Sequence, residues 1–166
     1  AMGALPDYIY ATGPETLYVN LFIGSTGRTS VGGAEVEVTQ TTRYPWEGDV
    51  RITVDPEREV TFSLCVRIPG WSRGATLLVN GEPAAVGLLG DGYARIHRTW
   101  SRGDEVRLHL PMAPQRVRAH PSVEADRGRV ALTRGPLVYC LEGIDNGGAA
   151  RTLALPRSAP LTVEWR

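Results

Sequence analysis

At 166 residues the chain holds one domain, or one domain and part of a second, and 42% hydrophobic residues supply a sizeable core. Its 18 basic and 18 acidic residues cancel and are interspersed, which removes any overall electrostatic case for nucleic acid or an anionic membrane. No stretch reaches transmembrane length and no signal peptide is visible, so the compartment stays open, with the cytoplasm favoured.

Met2 to Thr12 reads as a short helical segment, limited by Pro6. The alanine before Met2 resembles the scar of a removed tag, so a fragment of a longer protein is expected, and the all-arginine basic set fits a GC-rich bacterial genome. Leu17 to Ile23 is apolar on both faces and reads as a strand covered twice, the second time by a neighbouring domain. Period-2 alternation then dominates: Ala34, Val36 and Val38; Val50, Ile52 and Val54; Val60 to Ile68; Val106, Leu108 and Leu110. Each pattern places one face on a core and the other in water, as antiparallel sheets do. Turn residues fall between them, and Asn80-Gly81 is a two-residue hairpin signal. Pro111, Pro114 and Pro121 mark a boundary. Beyond it, strands are expected at Gln115–Ala119, Arg129–Thr133, Leu137–Leu141, Arg151–Leu155 and Leu161–Trp165. The expected fold is all-β, an antiparallel β-sandwich or jelly roll over residues 14–113. Residues 1–13 precede it as a helix remnant, and residues 114–166 complete it or begin a second, truncated sandwich.

Chemistry is hard to find in this pattern. Glu47, Asp49, Asp91 and Asp104 sit at turns, where carboxylates serve backbone geometry, and none pairs visibly with a second acid. His97, His109 and His120 lie far apart and read as surface histidines. Cys65 shares a polar face with Thr61, Ser63 and Arg67. Cys140 has apolar neighbours on both sides and reads as a small core residue in a buried strand. Neither cysteine lies in a C-x-x-C or beside a histidine, so neither reads as a nucleophile or a zinc ligand. Loop aromatics either cap a core edge or stack on sugar rings; Trp46, Trp71 and Tyr44 are the candidate carbohydrate contacts.

Six segments carry a resemblance: "LYVNLFIGS", "RYPWEGDVRITV", "LCVRIPGWS", "LVNGE", "GYARIHRTWSRGDEVRLHLPM" and "GRVALTRGPLVYCLEGIDN", in that order. Together they resemble the region that follows the catalytic domain in glycoside hydrolase family 127, the β-L-arabinofuranosidases. The resemblance implies a parent with an (α/α)6-barrel catalytic domain, β-sandwiches behind it, and a retaining mechanism. In that mechanism a zinc-bound cysteine is the nucleophile and a glutamate the acid/base. The family's adjacent cysteine pair precedes the stretch that here begins at Asp7, and Ala1 to Pro6 hold no cysteine. No catalytic or zinc-binding residue of the family therefore maps onto this chain, and zinc is expected only in the absent catalytic domain. The partners implied are that barrel, carbohydrate, or a second copy joined at an open sheet edge. The corresponding roles are a stabilising accessory domain, a carbohydrate-binding module and an oligomerisation module.

Overall fold

A computed structural model describes residues 6–84, 87–88 and 90–164. The chain divides into two compact units, Ala1–Pro111 and Met112–Arg166. In the first, the strands are β1 (Tyr10–Gly13), β2 (Thr16–Val19), β3 (Ser25–Val31), β4 (Ala34–Thr42), β5 (Asp49–Pro56), β6 (Val60–Arg67), β7 (Thr76–Val79), β8 (Glu82–Pro83), β9 (Gly87–Leu88), β10 (Tyr93–Trp100) and β11 (Asp104–His109). In the second they are β12 (Pro114–Val117), β13 (Ala131–Arg134) and β14 (Leu137–Tyr139).

Two sheets form the first unit, ordered β1-β2-β6-β10-β9 and β3-β4-β5-β11-β7-β8. Alternation builds the core between them. Leu17 and Val19 of β2, Phe62, Leu64 and Val66 of β6, and Ala94, Ile96 and Trp100 of β10 face one way. Val36 and Val38 of β4, Val50, Ile52 and Val54 of β5, and Val106 and Leu108 of β11 complete the same cluster. Each such side chain contributes about 1.5–3 kcal/mol by leaving water. The largest, Trp100, lies stacked on Phe62 at 5.6 Å between centroids, and its indole N–H donates to the Phe62 carbonyl at 3.1 Å. Its one polar atom is thus satisfied inside the core.

Pairing is antiparallel except between β2 and β6, which run parallel. At the Asn80-Gly81 turn both residues have positive φ, 51° and 85°, the left-handed pair a tight hairpin needs. The Asn80 side chain is bound to β11, accepting from the Glu105 N–H at 2.9 Å and donating to the Asp104 carboxylate at 2.7 Å.

Several expectations change. From residue 6 onward the segment expected to be helical is a single 3-10 turn followed by strand β1; residues 1–5 lie outside the described residues. The β1 strand pairs with β2, so its backbone groups find partners in the sheet. The Leu17–Ile23 strand stops at Val19, and the chain bends so that Phe22 enters the core, edge-to-face with Tyr44 at 5.5 Å. The outer face of β2 is covered in part by its own sheet, with Tyr18 against Tyr93 at 5.4 Å.

The second unit is a three-stranded antiparallel sheet, β12-β13-β14. No described residue from Met112 to Glu164 is buried. The buried strand expected at Leu137–Leu141 is instead exposed: Val138 is 66% and Leu141 65% accessible, and Cys140 is exposed rather than a core residue. The strands expected at Arg151–Leu155 and Leu161–Trp165 do not form as far as residue 164, where the chain makes one 3-10 turn and irregular structure.

Candidate functional site

The three aromatic residues singled out as sugar contacts part company. The turn after β4 carries Tyr44, then Pro45 across a cis peptide bond, then Trp46. Tyr44 points back to pack on Phe22, and the Trp71 indole N–H donates to its hydroxyl. Burial raises the Tyr44 phenol above its ordinary value of 10.0, against the lowering influence of that hydrogen bond and of the Arg67 charge. Tyr44 and Trp71 both pack on the edge of the core. Trp46 is the one of the three that is exposed, at 54% accessible.

The same turn closes one end of a groove of about 590 Å³ on the outer face of the second sheet. The register sets its floor: Arg51 of β5 lies opposite Arg107 of β11, and Asp49 opposite His109. Like charges directly opposite are unfavourable. Here Glu105 spans both arginines, 3.1 Å from the Arg51 Nε and bonded also to the Arg107 Nε. Arg43 pairs with Glu47 at 3.0 Å and His109 Nδ1 meets Asp49 at 2.7 Å. Three arginines thus face three carboxylates. The groove offers spare donors and acceptors without an excess of charge, a surface suited to hydroxyl groups rather than to ions.

The remaining candidates stay apart. His97 meets Ser63 on the first sheet, Nδ1 to Oγ at 3.0 Å, a contact that pattern reading missed because it depends on the β6–β10 register. No described carboxylate is bonded to that histidine, so the pair lacks the third group that orients a base. Cys65, although on a strand face with Thr61, Ser63 and Arg67, is fully buried, opposite Arg95, whose guanidinium is held in its charged form by a hydrogen bond to the sulfur. His120 lies in the second unit. Asp104 is buried as a turn acceptor, taking the Ser101 N–H at 2.9 Å. Among the described residues no three side chains of metal-ligating type converge, and the two cysteines fall in different units.

A two-sheet β-sandwich followed by a small antiparallel sheet defines the class, an all-β protein. The chain belongs to glycoside hydrolase family 127. Residues 16–112 match the family's model "Beta-L-arabinofuranosidase, GH127 middle domain", and residues 114–165 match its C-terminal domain model. It is 43% identical over 155 residues to a non-reducing end β-L-arabinofuranosidase of Bifidobacterium longum subsp. longum, covering 89% of this chain and 23% of that protein. Among solved structures it is similar to a family 127 β-L-arabinofuranosidase of Geobacillus stearothermophilus T6. That likeness has a TM-score of 0.83 and 48% identity, over 88% of this chain and 23% of the other. A second family 127 β-arabinofuranosidase superposes with a TM-score of 0.79 and 38% identity, over 85% and 25% of the two chains. The chain therefore spans about a quarter of the length of these relatives. No helix among the described residues is long and apolar enough to cross a membrane.

Proposed function

We propose that this chain is a non-catalytic accessory region of an arabinofuranoside-cleaving glycoside hydrolase, packing on the catalytic domain and stabilising it. The observation that carries the reading is the second unit. Val138, Leu141 and Ile144 lie open to solvent and no described residue there is buried, so the unit needs apolar cover from elsewhere. Relatives about four times longer supply the obvious source. The parent would release terminal arabinofuranose with retention, using the zinc-bound cysteine and the glutamate of its barrel; this chain contributes neither. The test is turnover of an aryl β-L-arabinofuranoside by the chain alone, with and without added zinc, beside a parent enzyme. No turnover by the chain is expected. Turnover that co-purifies with the chain and disappears on Cys140→Ala or Cys65→Ala would refute it.

A second reading has its own observation: the charge-balanced groove, lined at one end by Arg43 and Glu47 of the turn that carries Trp46. On this reading the groove takes neutral oligosaccharide, with Trp46 stacking on a ring, while Tyr44 and Trp71 hold the turn in place. Titration with arabino-oligosaccharides should quench tryptophan fluorescence and Trp46→Ala should abolish the change. Absence of quenching removes this reading and leaves the first intact.

A further inference from the structure

The second unit contains a cleft of about 380 Å³ with a different electrostatic character. Arg116, Arg118, Arg127, Arg129 and Arg157 all line it, together with His120. Five of the chain's 18 basic residues thus gather at one concavity in a protein whose net charge is zero. Their neutralisation is incomplete. Arg127 lies 3.5 Å from Glu124 and Arg129 lies 3.8 Å from Asp126, while Arg116 donates to the Ala159 carbonyl, which carries no charge. Arg118 and Arg157 have no hydrogen-bond or ion-pair partner among the described residues. Five cations against two carboxylates leave an excess of three positive charges around the cleft.

We infer that this cleft is a binding site for an oxyanion, a phosphate or sulfate group borne by a small molecule or a sugar. Guanidinium is the side chain that matches such a group, through planar, paired N–H donors that keep their charge at any physiological pH. The concave wall focuses the field of five such groups on one volume. The sandwich groove makes the contrast: there three arginines face three carboxylates, and an anion would meet Glu47, Asp49 and Glu105. In the cleft Arg118 and Arg157 are uncommitted and an anion completes the charge balance. The inference stands on the cleft alone and does not depend on the accessory role.

Titration calorimetry at low ionic strength tests it, using the 166-residue chain with inorganic phosphate, sulfate, a pentose 5-phosphate and the neutral pentose. Phosphate, sulfate or the sugar phosphate should bind and the neutral pentose should not. Arg118→Gln and Arg157→Gln should each weaken binding about 10-fold, the loss of one charge-assisted contact. Arg28→Gln, in the other unit, should change nothing. Tighter binding of the sugar phosphate than of inorganic phosphate would assign the site to a phosphorylated sugar; equal binding would assign it to the free anion. Either outcome keeps the oxyanion site. No heat with any anion, or equal weakening by all three substitutions, would overturn it, the latter by showing diffuse attraction only. Loss of anion binding when the segment sits in a full-length parent enzyme would also overturn it, by showing the cleft to be a docking face.

Discussion

Gly32 offers a direct test of how the two sheets are joined. It lies in the turn between β3 and β4 with φ at +62°, and its N–H donates to the Pro14 carbonyl. A Cβ there would come within 2.8 Å of the Val60 Cγ2 and 3.0 Å of the Thr61 carbonyl oxygen, both on β6 of the opposite sheet. Gly33, next along, has φ at +77° but nothing within 4 Å of a Cβ. Gly33→Ala should therefore cost only the left-handed backbone penalty, about 1 kcal/mol. Gly32→Ala adds overpacking against β6, about 1–3 kcal/mol more. For a unit of this size about 3–4 °C of Tm accompanies each kcal/mol. Thermal unfolding followed by tryptophan fluorescence should show a loss of about 3–4 °C for Gly33→Ala and roughly 6–16 °C for Gly32→Ala. Equal losses would refute the close approach of the β3–β4 turn to β6.

Other outcomes follow from single contacts. A thiol reagent should modify Cys140 at once in the folded chain and Cys65 only after denaturant is added; two fast thiols would show that β6 is not sealed by its neighbours. Because the folded Tyr44 keeps its proton above pH 10.0 while the unfolded chain loses it, the contribution of Tyr44 to stability should be constant below that pH and fall above it. Tyr44→Phe should flatten the alkaline limb of an unfolding-against-pH curve, and an unchanged limb would count against burial of the phenol. Backbone amides of β12, β13 and β14 should exchange with deuterium faster than those of β5, β6 and β11, since exchange protection follows burial; equal protection would contradict a second unit without a core of its own.

The sandwich was legible because its strands alternate. β4, β5, β6 and β11 fall where apolar residues repeat every second position, and Asn80-Gly81 forms the expected hairpin. The β3 strand was not legible: "STGRTSV" carries almost no apolar residue, and Gly27 is there because the Tyr10 ring lies on it, about 2.9 Å from where a Cβ would stand. Such a contact between distant segments leaves no local pattern. The aromatic trio was divided for a related reason. "RYPW" shows two rings either side of a proline, but only the fold decides that Tyr44 turns to Phe22 while Trp46 turns to solvent. The groove's arginines were hidden in the same way, since Arg51 and Arg107 are 56 positions apart in numbering (107 − 51) and meet only through the β5–β11 register.

The second unit shows where local pattern and burial separate. Leu137 to Leu141 has the composition of a buried strand, and it pairs with β13 as a strand should as far as Tyr139. Pairing satisfies the backbone, but burial requires a second layer, and three short strands cannot fold over themselves to supply one. An apolar face without a layer costs free energy for every side chain left in water, so a sequence that retains one has a use for it. The same unit gathers five arginines at a cleft, while the groove on the sandwich sets three arginines against three carboxylates. Apolar cover and anion contact are separate demands on one small sheet. The proposed experiments separate them: exchange protection gained in a parent enzyme reports the cover, and a heat of phosphate binding retained there reports the site.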